Sequence, residues 1–235
     1  MNRGELRAKL KRDHPEANTF SDDQMNTELN EGQLEIAFLT DALPTHANFN
    51  ITSGTETYAL STIAPDFLKI DREGGLQIKT VSSNSKFDRM VYRSMEKLDI
   101  LFPFWRDASA STPHSYFLRG NNLFIYPKFN TAVTNGGRLY FIEKPDSMDA
   151  DGTSPFNGVS WLTPFHKIVV LYAAMNILTA VKKYSDAQAI ETLYADRILA
   201  MKAHIKGGML EDESPDVQIG YNARQGIGRK ASRFG

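Results

Sequence analysis

From about Thr45 to Met148 the apolar residues of this chain alternate with polar ones, whereas before and after that stretch they recur every third or fourth position. A helix repeats a face every 3.6 residues and a strand every 2, so no single element satisfies both patterns. The chain is therefore read as α+β, with helices at its two ends and a mainly antiparallel β region inserted between them.

Residues 1–44 read as a helical hairpin. Leu6 and Leu10 stand one turn apart in a short first helix, and Pro15 marks the turn. In "FSDDQM", Ser21 is placed to cap the next helix, Gln24 to answer it as a capping box, and Phe20 and Met25 to staple the entry. Met25, Leu29, Ile36 and Leu39 then recur at helical spacing until Pro44 ends the run.

In residues 45–148, "FNITSGTETYAL", "FLKIDREGGLQIKTV", "YFLRGNNLFIYP" and "GGRLYFIEK" are broken by Ser-Gly, Gly-Gly, Gly-Asn and Asn-Gly, which predicts hairpins. One amphipathic helix interrupts them, with Phe87, Met90, Val91, Met95 and Leu98 on one face.

Residues 160–206 read as a second helical hairpin. Thr163 and Pro164 predict the cap and first position of a helix that is apolar nearly all round and holds Leu171 in the core. Its run "IVVLYAAMNILTAV" is short of the roughly 20 residues a bilayer needs, so a core helix is expected and no membrane contact. Ser185 and Gln188 repeat the capping-box pattern. Ile190, Leu193, Tyr194, Ile198, Met201 and Ile205 then stripe a last helix up to Gly207 and Gly208. The two helical hairpins predict one bundle. Residues 207–235 lack a helix-length apolar pattern and read as an extended arm.

The residues that carry chemistry elsewhere do not assemble here. There is no cysteine, and the five histidines lack metal-ligand spacing. "DSMDADG", with Asp146, Asp149 and Asp151, lacks the distal glutamate of a calcium loop and reads as a solvated loop. The paired glycines read as turns rather than a phosphate cradle, and Ser160 lacks the glycine frame of a nucleophile elbow. Glu31 and Glu35 share a helix face that reads as solvated. No catalytic residue, cofactor or metal ligand is nominated, and no enzyme is expected. A net charge of −1 excludes a wholly basic nucleic-acid footprint, and the N-terminus lacks the apolar stretch of a signal peptide. Two features point to contact rather than chemistry. Phe102, Phe104, Trp105 and Arg106 place large aromatics beside arginine, as interface hot spots do and as packing below a sheet also does. The arm alternates Val217, Ile219 and Tyr221, then carries Arg224, Arg229, Lys230 and Arg233 with no acid among them.

In combination these parts resemble the head-to-tail adaptor proteins of tailed bacteriophages. "MNRGELRAKLKRDHPEANTFSDDQMNTELNEGQLEIA" is similar to that family's short basic helix followed by a capped helix. "YFLRGNNLFIYPK", then "RLYFIEKP", a polar gap and "TPFHKIVVLYAAMNIL", resemble its hairpin, strand and long apolar helix. The resemblance implies a structural virion protein at the head-tail junction, assembled in the host cytoplasm. It implies a self-associated ring, a dodecamer, between the portal protein and a tail or nozzle protein, with viral DNA passing through without sequence-specific binding. It also implies that the C-terminal arm docks on the portal. The alternative is a binding module presenting the β region's aromatics to nucleic acid or glycan. That reading is weakened by Asp66, Asp71 and Glu73 among the lysines.

Overall fold

The computed structural model describes residues 1–80 and 86–210. The helices are α1 (Arg3–Asp13), α2 (Asp22–Thr40), α3 (Leu60–Ile63), α4 (Met95–Leu101), α5 (His166–Ala180) and α6 (Tyr184–Leu210). The strands are β1 (Pro44–Ile51), β2 (Thr57–Ala59), β3 (Phe67–Ile70), β4 (Leu76–Ile78), β5 (Asp88–Arg89), β6 (Val91–Tyr92), β7 (Ser115–Arg119), β8 (Asn122–Tyr126) and β9 (Val133–Glu143). Both terminal helical segments and a mixed, mainly antiparallel β region are present, so the class is α+β.

The helices of the two ends bury their apolar faces against one another. Leu6 and Leu10 of α1, Met25, Leu29 and Ile36 of α2, Ile168, Val169 and Ile177 of α5, and Ile198 and Met201 of α6 belong to one buried cluster. Each such side chain, fully withdrawn from water, stabilises by about 1.5–3 kcal/mol. The start of α2 is capped as its sequence predicts: the Gln24 N–H donates to Ser21 Oγ at 3.2 Å, and the Ser21 N–H to Gln24 Oε1 at 2.9 Å. A second capping box, Asn2 with Glu5, starts α1 and was not anticipated.

Several expectations for the C-terminal helices need correction. Ser160–Phe165 forms a 3-10 turn containing Pro164, α5 begins only at His166, and Thr163 is not its cap. The run Ser160–Ala180 thereby has the length and apolarity of a membrane span, with 56% of its most apolar window buried inside the protein. Leu171 is half-buried, while its neighbours Val169 and Val170 are fully buried. Ser185 lies inside the first turn of α6 rather than before it, and Leu193 sits off the buried stripe. α6 also continues through Gly207 and Gly208 to Leu210. Glycine costs about 1 kcal/mol in a helix but does not forbid it.

The β region consists of two sheets facing one another. One is ordered β1-β9-β4-β5 with β3 also on β9, and the other β2-β8-β7-β6, in which β6 alone runs parallel to its neighbour. Phe49, Leu76, Leu123, Ile125, Val133, Leu139 and Phe141 fill the space between them. Only one of the four expected hairpins forms as such. β7 and β8 pair across Gly120 and Asn121, where Gly120 takes φ +56°. The Ser53-Gly54 stretch instead links strands of different sheets, β1 to β9 and β2 to β8.

Gly74 and Gly75 do not join two paired strands either. β3 and β4 lie in succession along the same edge of β9, and residues 71–75 loop out between them. Tyr140 of β9 ties the base of that loop: its carbonyl accepts from the Asp71 N–H at 3.1 Å, and its N–H donates to the Gly75 carbonyl at 2.9 Å. The Gly74 backbone lies against the Tyr140 side chain, leaving no room for a Cβ. Asn135, Gly136 and Gly137, another expected turn, form a bulge inside β9, with Asn135 at φ +47° and Phe49 packed over Gly137.

The amphipathic helix expected from Phe87 to Leu98 is confined to Met95–Leu101, capped by Ser94. Residues 88–92 are extended and cross between the sheets, β5 pairing with β4 and β6 with β7, while the Met90 N–H donates to the Leu76 carbonyl at 2.9 Å. The ladders offered by both sheets override the local helical spacing.

Candidate interaction surfaces

The aromatic group at 102–106 is divided by the fold. α4 and the turn after it cover the outer face of the β7-β8 sheet, where Leu98, Trp105, Phe117 and Tyr126 form a small buried cluster. Trp105 stands edge-on to Phe117 and Tyr126, and its Nε1–H donates to Asp99 Oδ1 at 2.7 Å. Arg106 lies over the Trp105 ring at 4.5 Å and pairs with Asp99 at 2.8 Å. The Trp105 hydrogen bond, with Arg106 beside it, holds the Asp99 carboxyl below its ordinary pKa. Phe102 packs on His114 and Tyr126. Trp105 and Phe102 are thus packing residues.

Phe104 is the opposite case. It is 82% exposed, and Ile100 beside it is 77% exposed. Phe104 and Leu101 rim a shallow depression of about 460 Å³ that Phe102, Trp105 and Tyr126 also line. Val91 and Tyr92, on the outer strand of the same sheet, are also more than half exposed. Large apolar side chains grouped outside a core mark a contact surface more often than isolated ones do. The aromatic-arginine composition could locate this surface, but it could not tell which ring faces outward.

A second groove, also about 460 Å³, lies where the helical and β regions meet, between the ends of α2 and α6 and the loop 71–75. Lys69 of β3 spans its base, with its ammonium paired to Asp41, bonded to the Phe38 carbonyl and 4.5 Å from the Phe38 ring centroid. Charges of both signs, including Asp71, Arg72, Glu73, Lys202 and Lys206, line it.

The residues screened for chemistry have structural places. Asp151, in the loop read as solvated, receives Arg3 at 2.9 Å and Arg7 at 2.8 Å and thereby straps that loop to α1. His166 is buried against Phe156, with Nδ1 3.0 Å from the Met1 carbonyl and Nε2 without a partner among the described residues. Burial pushes its pKa down. Among the described residues no three His, Asp or Glu side chains converge as metal ligands. Val217, Ile219, Tyr221, Arg224, Arg229, Lys230 and Arg233 lie outside the described residues.

The family model described as SU10 adaptor protein matches residues 1–216, which includes both helical segments and the whole β region. The chain belongs to the SU10 adaptor protein family. It is a bacteriophage adaptor, a structural component of the head-tail junction associated with portal and tail components. No individually curated protein matches it.

Proposed function

We propose that the chain is the repeating subunit of a ring, a dodecamer, seated between the portal and a tail or nozzle protein and surrounding the channel through which DNA leaves. The family match over residues 1–216 carries this reading. The helices of both ends act as one bundle that forms the body of the ring, with the β region inserted as a subdomain. The exposed Phe104, Ile100 and Leu101 surface supplies an apolar contact of the kind that anchors subunit and tail interfaces. The arm, through Val217, Ile219, Tyr221, Arg224, Arg229, Lys230 and Arg233, docks on acidic groups of the portal. Its work is mechanical, and no catalytic step is assigned to it.

Electron microscopy of the protein mixed with purified portal rings tests this. Extra ring density on the portal face is expected; folded protein that never joins the portal would overturn the reading. Co-sedimentation refines it: replacing Arg224, Arg229 and Arg233 with glutamate should weaken portal binding more than ending the chain at Leu210 does, because like charges then face each other. Equal binding by wild type, truncated and charge-reversed protein would remove the arm's role.

A further inference from the structure

Glu28, Glu31 and Glu35 stand at i, i+3 and i+7 on α2 and share one face. Among the described residues none of them has a cationic partner, and Glu28 only accepts a hydrogen bond from Asn176 of α5 at 2.7 Å. Gly32, inside this strip, has no side chain because Tyr172 of α5 occupies the space: a Cβ there would lie 2.9 Å from the Tyr172 ring. Glu31 and Glu35 therefore flank an aromatic ring pressed onto the helix. Tyr194 of α6 completes the cleft, with its ring centroid 6.1 Å from that of Tyr172. It is 7% exposed, and its buried hydroxyl has no close hydrogen-bond partner among the described residues. Burial raises the pKa of that hydroxyl, and Glu35 raises it further through its charge and a weaker hydrogen-bond contribution.

Unpaired carboxylates one turn apart repel each other, and a buried hydroxyl without a partner is rare in folded proteins. A guanidinium would answer all three features. It presents five N–H donors to the carboxylates and to the hydroxyl oxygen, and its planar face suits the Tyr172 ring. We propose that this carboxylate-tyrosine cleft holds the basic end of the same chain, residues 224–233. That segment carries Arg224, Arg229, Lys230 and Arg233 and no acid. The chain is long enough: the 13 residues from 211 to 223 span roughly 45 Å when extended, whereas the way back along α6 from Leu210 to Tyr194 is about 24 Å. Tethering also gives the segment a high effective concentration at its own cleft that no free competitor enjoys. The contact keeps the arm on the body until a more strongly acidic surface takes it. It is a property of the free protein and stands or falls without the portal.

Carbodiimide coupling tests it, because it joins a carboxylate to a lysine amine with no inserted atoms. Lys230 is the only lysine beyond Lys206. In a mixture of isotopically light and heavy full-length protein, an amide between Lys230 and Glu31 or Glu35 is expected, within one copy. Replacing Arg224, Arg229 and Arg233 with glutamine, which leaves Lys230 in place, should lower the yield about tenfold, as should raising the salt to about 0.5 M. Coupling of Lys230 only to Glu211, Asp212, Glu213 or Asp216 of its own arm would overturn the assignment. So would light-heavy products alone, which would make a second copy the occupant, and so would an absence of coupling to α2.

Discussion

The helical region and the β region are stabilised by cores of similar kind but are specified in different ways. In the helical region α1 and α2 are specified locally: Ser21 and Gln24 cap α2, and Leu6 and Leu10 select the buried face of α1. In the β region the partner of each strand is set far along the chain, since β9 pairs with β1, β3 and β4 at once. Everything in that sheet depends on one strand, whereas the helical core is shared among four helices. The β region should therefore be fragile at a few backbone positions, and the helical region at its buried side chains.

The largest effect is expected in the helical core. Val169→Asp places a charge without a partner at a fully buried site of α5 and should cost more than about 4 kcal/mol, leaving little folded protein in urea titrations. Leu171→Asp, two residues on and half-buried, should cost no more than about half of that. Equal losses at the two positions would contradict the packing described for α5.

The second effect belongs to β9. A Cβ at Gly137 would lie 2.3 Å from the Phe49 ring, so Gly137→Ala must push that ring or the strand aside, at about 1–3 kcal/mol. The two tryptophans report the regions separately, Trp105 in the β region and Trp161 beside His204 of α6. In single-tryptophan variants the Gly137→Ala change should move the Trp105 transition further than the Trp161 transition. A larger shift at Trp161 would mean that β9 supports the helices more than its own sheets.

The same contrast explains what the sequence made legible. Caps and helical stripes are local, so α1, α2 and most of α6 were readable from neighbouring residues. In the β region the misread segments are those where a distant strand decides, whereas in the helical region the errors lie at the ends of α5 and α6 and at Leu171. Met90 and Val91 fit a helical stripe with Met95 and Leu98, yet the free edges of two sheets draw them into extended pairing. Gly74-Gly75 and Asn135-Gly136 have the composition of turns, but Tyr140 and Phe49 pack against the backbone there, so each pair interrupts a strand instead of reversing it. The candidate surface was half legible for a related reason. Aromatic character predicts contact, but only the placement of α4 on the sheet decides that Trp105 faces in and Phe104 out. Likewise Glu31 and Glu35 look like a solvated pair until Tyr172 and Tyr194 are seen beside them.

A smaller effect should come from the Lys69 link between the regions. Its partner Phe38 is on α2 and Asp41 directly follows that helix, and both charges are partly in water, so Lys69→Ala should cost less than about 1 kcal/mol in total stability. What it should change is cooperativity: any gap between the Trp105 and Trp161 transitions should be wider in Lys69→Ala than in the wild type. A gap left unchanged by the substitution would show that Lys69 does not couple the two regions.

The smallest effect is the response to acid, and it too should differ between regions. In the helical region four carboxyls are held below their ordinary values: Asp13 by Lys9 and then Arg12, Glu16 by Lys183, Asp22 by Lys11, and Asp151 by Arg7 and then Arg3. A carboxyl depressed in the folded state contributes stability above its unfolded value, here 3.8 for aspartate and 4.5 for glutamate, and that contribution is lost as the pH falls through the folded value. In the β region Asp99 behaves the same way, but Glu143 is opposite in sign. Burial, with Asp66 and Asp146 nearby, raises its pKa, so its ionisation opposes folding and acid relieves it. His166 and His114 are both lowered by burial, one in each region, so the stability they lose as the pH falls below 6.5 is shared. Between about pH 5 and pH 3 the Trp161 midpoint in urea should therefore fall further than that of Trp105. The four helical carboxyls lie at the surface, so about 0.5 M salt should shrink the difference. An acid response led by Trp105 would show that these ion pairs decorate the helical surface without holding it.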